Sequence, residues 1–90
     1  MTEVNLSKPI ELSNHAREKI LDRGASEDEV KTAISMSNPE PARKGRLMFR
    51  KNFAFNNHWR GKHYAVKQVA PVVAEQADRL IVVTVYVYYF

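Results

Sequence analysis

Residues 43–55 read Arg43-Lys44-Gly45-Arg46-Leu47-Met48-Phe49-Arg50-Lys51-Asn52-Phe53-Ala54-Phe55, and the hydrophobic period changes within them. Upstream, apolar residues recur every three or four positions, as on one side of a helix; from Leu47 onward they alternate. Leu47, Phe49, Phe53 and Phe55 share one side, with only Lys51 intruding, while Arg46, Arg50 and Asn52 point the other way. The basic turn Arg43 to Gly45 therefore divides a helical half from a half of strands, and the chain reads as α+β.

Upstream of the turn, Pro9-Ile10-Glu11-Leu12 alternates like a short strand. Ser13 is a good N-cap for a helix from about Asn14 to Arg23 whose apolar stripe is Ala16, Ile20 and Leu21, and Gly24 supplies the C′ glycine. Ser26 with Glu29 forms a capping box for a second helix that buries Val30, Ala33 and Ile34 and stops before Asn38-Pro39-Glu40-Pro41. Downstream, Asn56-Asn57 and Arg60-Gly61 carry turn chemistry, and Lys62 to Glu75 reads as a long strand that Pro71 must bend, bulge or place on an edge. After Gln76-Ala77-Asp78, the uncharged stretch Leu80 to Phe90 is dense in β-branched and aromatic residues. Simple alternation puts Ile81, Val83, Val85 and Val87 in the core and Val82, Thr84, Tyr86 and Tyr88 on the opposite face. The expected order is β-α-α-β-β-β, with the two N-terminal helices on one face of a small antiparallel sheet. Residues 1–9 are expected to be a flexible N-terminus and 10–90 a single domain.

Ninety residues support one hydrophobic core. With 44% hydrophobic and 27% charged residues the composition is that of a folded globule, and without cysteine there is no thiolate catalysis, disulfide framework or cysteine-based metal site. No secretory leader and no run of about 18 apolar residues is found, so the expectation is a cytoplasmic protein with no membrane association.

Charge is unevenly placed. Residues 1–40 hold eight acids against five bases, whereas Pro41 to Ala74 contains no acid and eight bases: Arg43, Lys44, Arg46, Arg50, Lys51, Arg60, Lys62 and Lys67. Phe49, Phe53, Phe55, Trp59 and Tyr64 are interleaved with them. Cations that attract a polyanion and rings that stack bases are the two ingredients of RNA or single-strand binding. The plain alternative is a solvated strand face kept soluble by lysine and arginine. Arg43, Lys44, Arg46, Arg50, Trp59, Arg60, Lys62 and His63 are the candidate RNA-binding residues.

Metal-free RNA cleavage needs a base, an acid and cations around a phosphorane-like transition state, since the 2′-hydroxyl of the substrate attacks its own phosphate. His15 or His63 is the candidate base or acid; His15 lies in the first helical turn near the positive end of the helix dipole, with the alternative of a capping or surface histidine. Arg23 lies within about 20° of Ala16 on a helical wheel, so its guanidinium must reach past the apolar face toward a sheet edge or an anion. Lys67 is expected four residues from His63 on one strand face, sharing a surface with Arg50 and Thr84 as a phosphate clamp, while Thr84 and Tyr86 orient backbone or stack a base. Each has an ordinary reading: a solvent-facing lysine, a β-former, a rim aromatic. His58 and His63, five apart, fall on opposite faces of any continuous strand, so neither a metal nor a cofactor is expected.

His15-Ala16-Arg17 followed by Arg23-Gly24, the Ser26-x-x-Glu29-Val30 helix start, the Arg46-to-Phe55 strand, Lys67-Gln68-Val69 and the closing Ile81-Val82-Val83-Thr84-Val85-Tyr86 together resemble the domain-of-unknown-function family numbered 4258 over residues 10–90. The chain also resembles, at the level of fold, the RelE-like (barnase/RelE-like) group of small RNase toxins. The resemblance implies two helices on an antiparallel sheet whose open face cuts RNA without metal. The expected function is thus a toxin-like RNA-interacting protein, a metal-independent endoribonuclease acting on RNA or the ribosome and neutralised by an acidic antitoxin. Two alternatives stand beside it: a noncatalytic RNA- or ribosome-binding module, and an interaction module or homodimer pairing through the C-terminal strand.

Overall fold

The structure, a computed structural model, describes residues 7–90. The first six positions of the expected flexible N-terminus lie outside the described residues. Next to them the chain is tied down: Lys8 Nζ donates to Glu75 Oε2 at 2.9 Å and to the Gln76 carbonyl at 2.8 Å, and the Pro9 carbonyl accepts from Leu80 N at 2.9 Å.

The elements are β1 (Ile10–Leu12), α1 (Asn14–Arg23), α2 (Glu27–Met36), β2 (Glu40–Pro41), a 3₁₀ turn (Arg43–Gly45), β3 (Leu47–Met48), β4 (Lys51–Trp59), β5 (Lys62–Glu75) and β6 (Leu80–Tyr89). The fold is α+β, with both helices packed on one face of an open six-stranded sheet. That sheet is mixed: β1 runs parallel to β6, and a two-residue β2 pairs β3 beyond the strands expected.

Local chemistry explains the helices. Ser13 Oγ accepts from Ala16 N and caps α1, whose C-cap Gly24 adopts φ 78°. In α2 both arms of the Ser26/Glu29 capping box form, and Glu27, Asp28 and Glu29 put negative charge at the positive end of the dipole. Ala16, Ile20, Val30 and Ile34 then meet Phe49, Val69, Val73, Leu80, Val82 and Val85 of the sheet in one core. Burial of Phe49 alone, fully shielded from solvent, contributes on the order of 1.5–3 kcal/mol.

One break in pairing and two register shifts shape the sheet. The strand read from Leu47 stays in register throughout, since Met48 opposes Val72 and Lys51 opposes Val69. It divides into β3 and β4 because Phe49 N donates to the Pro71 carbonyl at 3.0 Å while Pro71 has no N–H to return. Asn56-Asn57 is not a turn: β4 runs on to Trp59, with a register shift between Ala54 and Asn57 and Asn56 at φ 44°, so the reversal falls at Arg60-Gly61. In β6, Val73 opposes Val82 and Val72 opposes Thr84, leaving Val83 as an extra residue. This bulge reverses the expected parity over the first half of the strand: Leu80 and Val82 are in the core, Ile81 and Val83 are not, and Val85 is again buried. It also lets Ser13 receive two successive carbonyls, Val82 O on its N–H at 3.0 Å and Val83 O on its hydroxyl at 3.2 Å.

Candidate nucleic-acid interface

Register places side chains on the uncovered face in rows. Met48, Val72 and Thr84 form one; Arg50 stands across from Ala70, which opposes Tyr86; Asn52, Gln68 and Tyr88 form the next. Ala70 is fully buried between Arg50 and Tyr86, and a groove runs along the sheet above this face. Its volume is about 680 Å³, and its walls are Tyr86 and Tyr88 on one side and Glu40, Arg43, Lys44, Arg46 and Arg50 on the other, over Met48, Val72 and Thr84.

The basic wall is built by the β2–β3 ribbon. Ala42 N donates to the Arg46 carbonyl at 2.8 Å, and Lys44 (φ 60°) and Gly45 (φ 71°) take left-handed conformations that fold the turn over the groove. Arg50 is held by Glu40 Oε1 at 3.1 Å and by Gln68 Oε1 at 3.3 Å. Among the described residues no acid pairs with Arg43, Lys44 or Arg46. Tyr86 and Tyr88 are 40% and 44% exposed, so both rings are open to a stacking ligand.

Arg23 reaches a sheet edge. Beyond Val82 no strand flanks β6 opposite β5 among the described residues, and there Arg23 Nη1 donates to the Val85 carbonyl at 2.7 Å with its guanidinium 5.4 Å from the centre of the Tyr86 ring. Of the five expected catalytic residues, Thr84 and Tyr86 thus line the groove and Arg23 stands beside it.

Lys67 does not share that surface. Its neighbours in register are Phe53 and Tyr89 on the helix-covered face, and it is 8% exposed. Its ammonium donates to the Gly24 carbonyl at 3.0 Å, pairs with Glu29 Oε2 at 2.8 Å and lies over the Phe55 ring. Arg60 Nη2 donates to the Asp22 carbonyl at 2.9 Å and the Tyr89 hydroxyl to the Arg23 carbonyl at 2.7 Å. Three successive carbonyls at the negative end of α1 are therefore capped by sheet side chains, two of them cationic. Burial, with the Glu29 carboxylate adding to it, pushes the Tyr89 phenol above its ordinary value and keeps it a donor.

The remaining candidates lie elsewhere. His15 is exposed on α1, on the helix side of the molecule. Trp59 is stacked on Tyr89 with centroids 5.2 Å apart, and Arg60 lies over it, beside a crevice of about 210 Å³ that does not include the basic wall. Lys62 and His63 sit near the β4–β5 turn, about 20 Å along β5 from Gln68. There His58 and His63 are not on opposite faces: the turn makes them cross-strand partners with ring centroids 5.3 Å apart. The acid-free block thus does not form one face. Four of its eight cations wall the groove, Arg60 and Lys62 lie at the hairpin turn, Lys51 lies over Phe53, and Lys67 is buried.

Site residues that the sequence reading left unassigned are Glu40, Met48, Val72 and Tyr88. Tyr88 was within reach, because it continues the Thr84-Tyr86 alternation; Glu40 was not, because only the β2–β3 ribbon brings it to Arg50. Comparison of the chain with protein-family models, curated proteins and solved structures finds no match.

Proposed function

We propose that the open-face groove binds single-stranded RNA and that the protein is a toxin-like RNA-interacting protein of the kind its resemblance to the RelE-like group implies. The observation that carries this reading is the convergence on one groove of two exposed tyrosines and three cations, Arg43, Lys44 and Arg46, that have no acidic partner among the described residues. Cations set along one wall match a phosphate backbone, and rings on the other give each base a stacking surface.

Cleavage at this groove would follow the metal-independent route. The 2′-hydroxyl attacks the adjacent phosphorus, the P–O5′ bond breaks, a base takes the hydroxyl proton and an acid returns one to the leaving oxygen. The lining groups able to exchange protons are Glu40, Tyr86, Tyr88 and Lys44, since His15 and His63 lie away from it. Arg43, Arg46 and Arg50 would neutralise the charge that develops on phosphorus. The absence of a histidine from the lining favours a second reading, RNA binding without cleavage. On either reading an acidic protein segment is the natural competitor for the basic wall.

The test is fluorescence anisotropy with a labelled single-stranded RNA at low salt, followed by gel analysis of the same mixtures with chelator present. Wild-type protein should bind, and Arg43→Ala with Arg46→Ala should weaken binding at least about tenfold. Products ending in a 2′,3′-cyclic phosphate assign cleavage, and intact RNA across ribosomal and messenger substrates assigns the binding module. Undetectable binding, or affinity unchanged in the double variant, overturns the proposal.

A further inference from the structure

The β4–β5 hairpin closes through a two-residue loop, Arg60-Gly61, whose residues both have positive φ, 51° and 84°. This is the type I′ geometry of a tight hairpin, and it sets the character of each pair behind the loop. The pair flanking such a loop, here Trp59 and Lys62, is hydrogen-bonded, and the next, His58 and His63, is not. The His58 amide donates to Asn57 Oδ1 at 2.7 Å, as a position outside the ladder allows. Partners of this kind stand closest, with Cα atoms about 4.5 Å apart, so the backbone itself brings the two imidazoles together. Five residues apart on one strand they would face opposite ways; the reversal at Arg60-Gly61 puts them on one side.

Their spacing is the one a single transition-metal ion requires. An imidazole nitrogen lies about 2.0–2.1 Å from bound zinc, which puts the ring centre about 3.2 Å from the metal, and two such rings at a tetrahedral angle have centres about 5.2 Å apart. The hairpin holds the two centroids 5.3 Å apart with the ring planes at 78°. Both residues are exposed, so rotation about χ2 can turn a nitrogen of each toward one point without moving the backbone.

Nearby cations are directed away from that point. Alternation sends Trp59, Lys62 and Tyr64 to the other side of the hairpin, where the Lys62 ammonium lies 5.6 Å from the centre of the Tyr64 ring. Arg60 is drawn to the Asp22 carbonyl at 2.9 Å and over the Trp59 ring. Among the described residues no third histidine, aspartate or glutamate joins the pair, which leaves the other positions of a bound ion to water.

We propose that His58 and His63 form a two-histidine chelate for one divalent transition-metal ion of the zinc kind, at the hairpin tip and outside the groove. Imidazole selects such ions over magnesium and calcium, which take oxygen ligands.

The test is isothermal titration calorimetry of the whole chain with zinc chloride in a neutral, non-chelating buffer, paired with thermal unfolding of the same samples. Wild-type protein should bind one zinc per chain, and magnesium should give no binding heat. His58→Ala and His63→Ala should each weaken zinc binding at least about tenfold, and as much as the double variant, because a lone imidazole loses the chelate. His15→Ala, on α1, should leave it unchanged. The folded hairpin assembles the pair, so saturating zinc should raise the unfolding midpoint of wild type and not that of His63→Ala. Both positions are exposed, so the variants should keep the wild-type circular dichroism spectrum. No zinc binding by wild-type protein overturns the proposal. A loss spread additively over His15, His58 and His63 overturns it as well, by assigning the heat to independent surface imidazoles, and so does full affinity in the double variant.

Discussion

Gly24 is where chain geometry and packing meet most tightly. Its φ of 78° lies in the left-handed region, and a methyl group there would stand 2.6 Å from Tyr89 Oη and 2.7 Å from Trp59 Cζ3. The backbone term and the overpacking term add, so Gly24→Ala should lose about 2–5 kcal/mol of stability. Urea denaturation measures this, and a loss under about 1 kcal/mol would show that the aromatic pair yields freely. Tyr89 gives the same junction a pH dependence. Its phenol donates to the Arg23 carbonyl and is raised above the ordinary value of about 10, chiefly by burial. Because the folded value exceeds the unfolded one, this contribution is fully present below about pH 10 and is lost as pH climbs through the folded value. Tyr89→Phe should therefore be less stable than wild type by about 1 kcal/mol at pH 7, with the gap closing above pH 10. Thermal unfolding of both proteins from pH 7 to 11 checks it; a constant gap would assign the difference to packing.

At the scale of the element, what could be read in advance were the features that depend on near neighbours. Ser13, Gly24 and the Ser26/Glu29 box bound their helices as local rules require, because a cap is satisfied within three or four residues. The strands were legible only where alternation is unbroken. Nothing in Ile81-Val82-Val83-Thr84 distinguishes a bulge from a continuous strand, since all four side chains suit either face. The extra residue is set by Ser13 docking on the Val82 and Val83 carbonyls, 70 positions away in the chain for the hydroxyl bond. Likewise Asn56 suited a turn, and the competition was settled by pairing with β5. The exposed half of β6 raises a further question, how an edge of Val85, Val87 and Tyr89 avoids pairing with another chain. Arg23 answers it locally by occupying the Val85 carbonyl and setting a charge at the edge. Arg23→Ala should expose that edge and increase self-association, seen as a concentration-dependent shift to larger species in sedimentation velocity. A monomer throughout the same concentration range would place the protection elsewhere along β6.

For the whole molecule, the eight bases between Pro41 and Ala74 look like one polyanion site in one dimension and fall into four groups in space. Position in sequence told Arg46 and Arg50 from Lys51 by alternation, so the open-face pair was legible. It could not reveal that Lys67 would be drawn under α2 by Glu29 and the Gly24 carbonyl, because that requires knowing where the α1–α2 junction lands on the sheet. The difference is measurable in the salt dependence of RNA binding. For a single strand, log K falls with log salt at about −0.7 per phosphate neutralised, so four groove cations predict a slope near −3 and all eight one near −6. Arg43→Ala with Arg46→Ala should reduce the slope to about −1.4. Lys62→Ala, at the far turn, should leave it near the wild-type value. Lys67→Met should lower stability through the unpaired Glu29 carboxylate yet leave both slope and affinity unchanged at temperatures where the protein is folded. A slope that falls equally for the Arg43/Arg46, Lys62 and Lys67 variants would mean that the strand runs the length of the sheet and reaches the lysine through a displaced α1–α2 junction, against the division of charge described above.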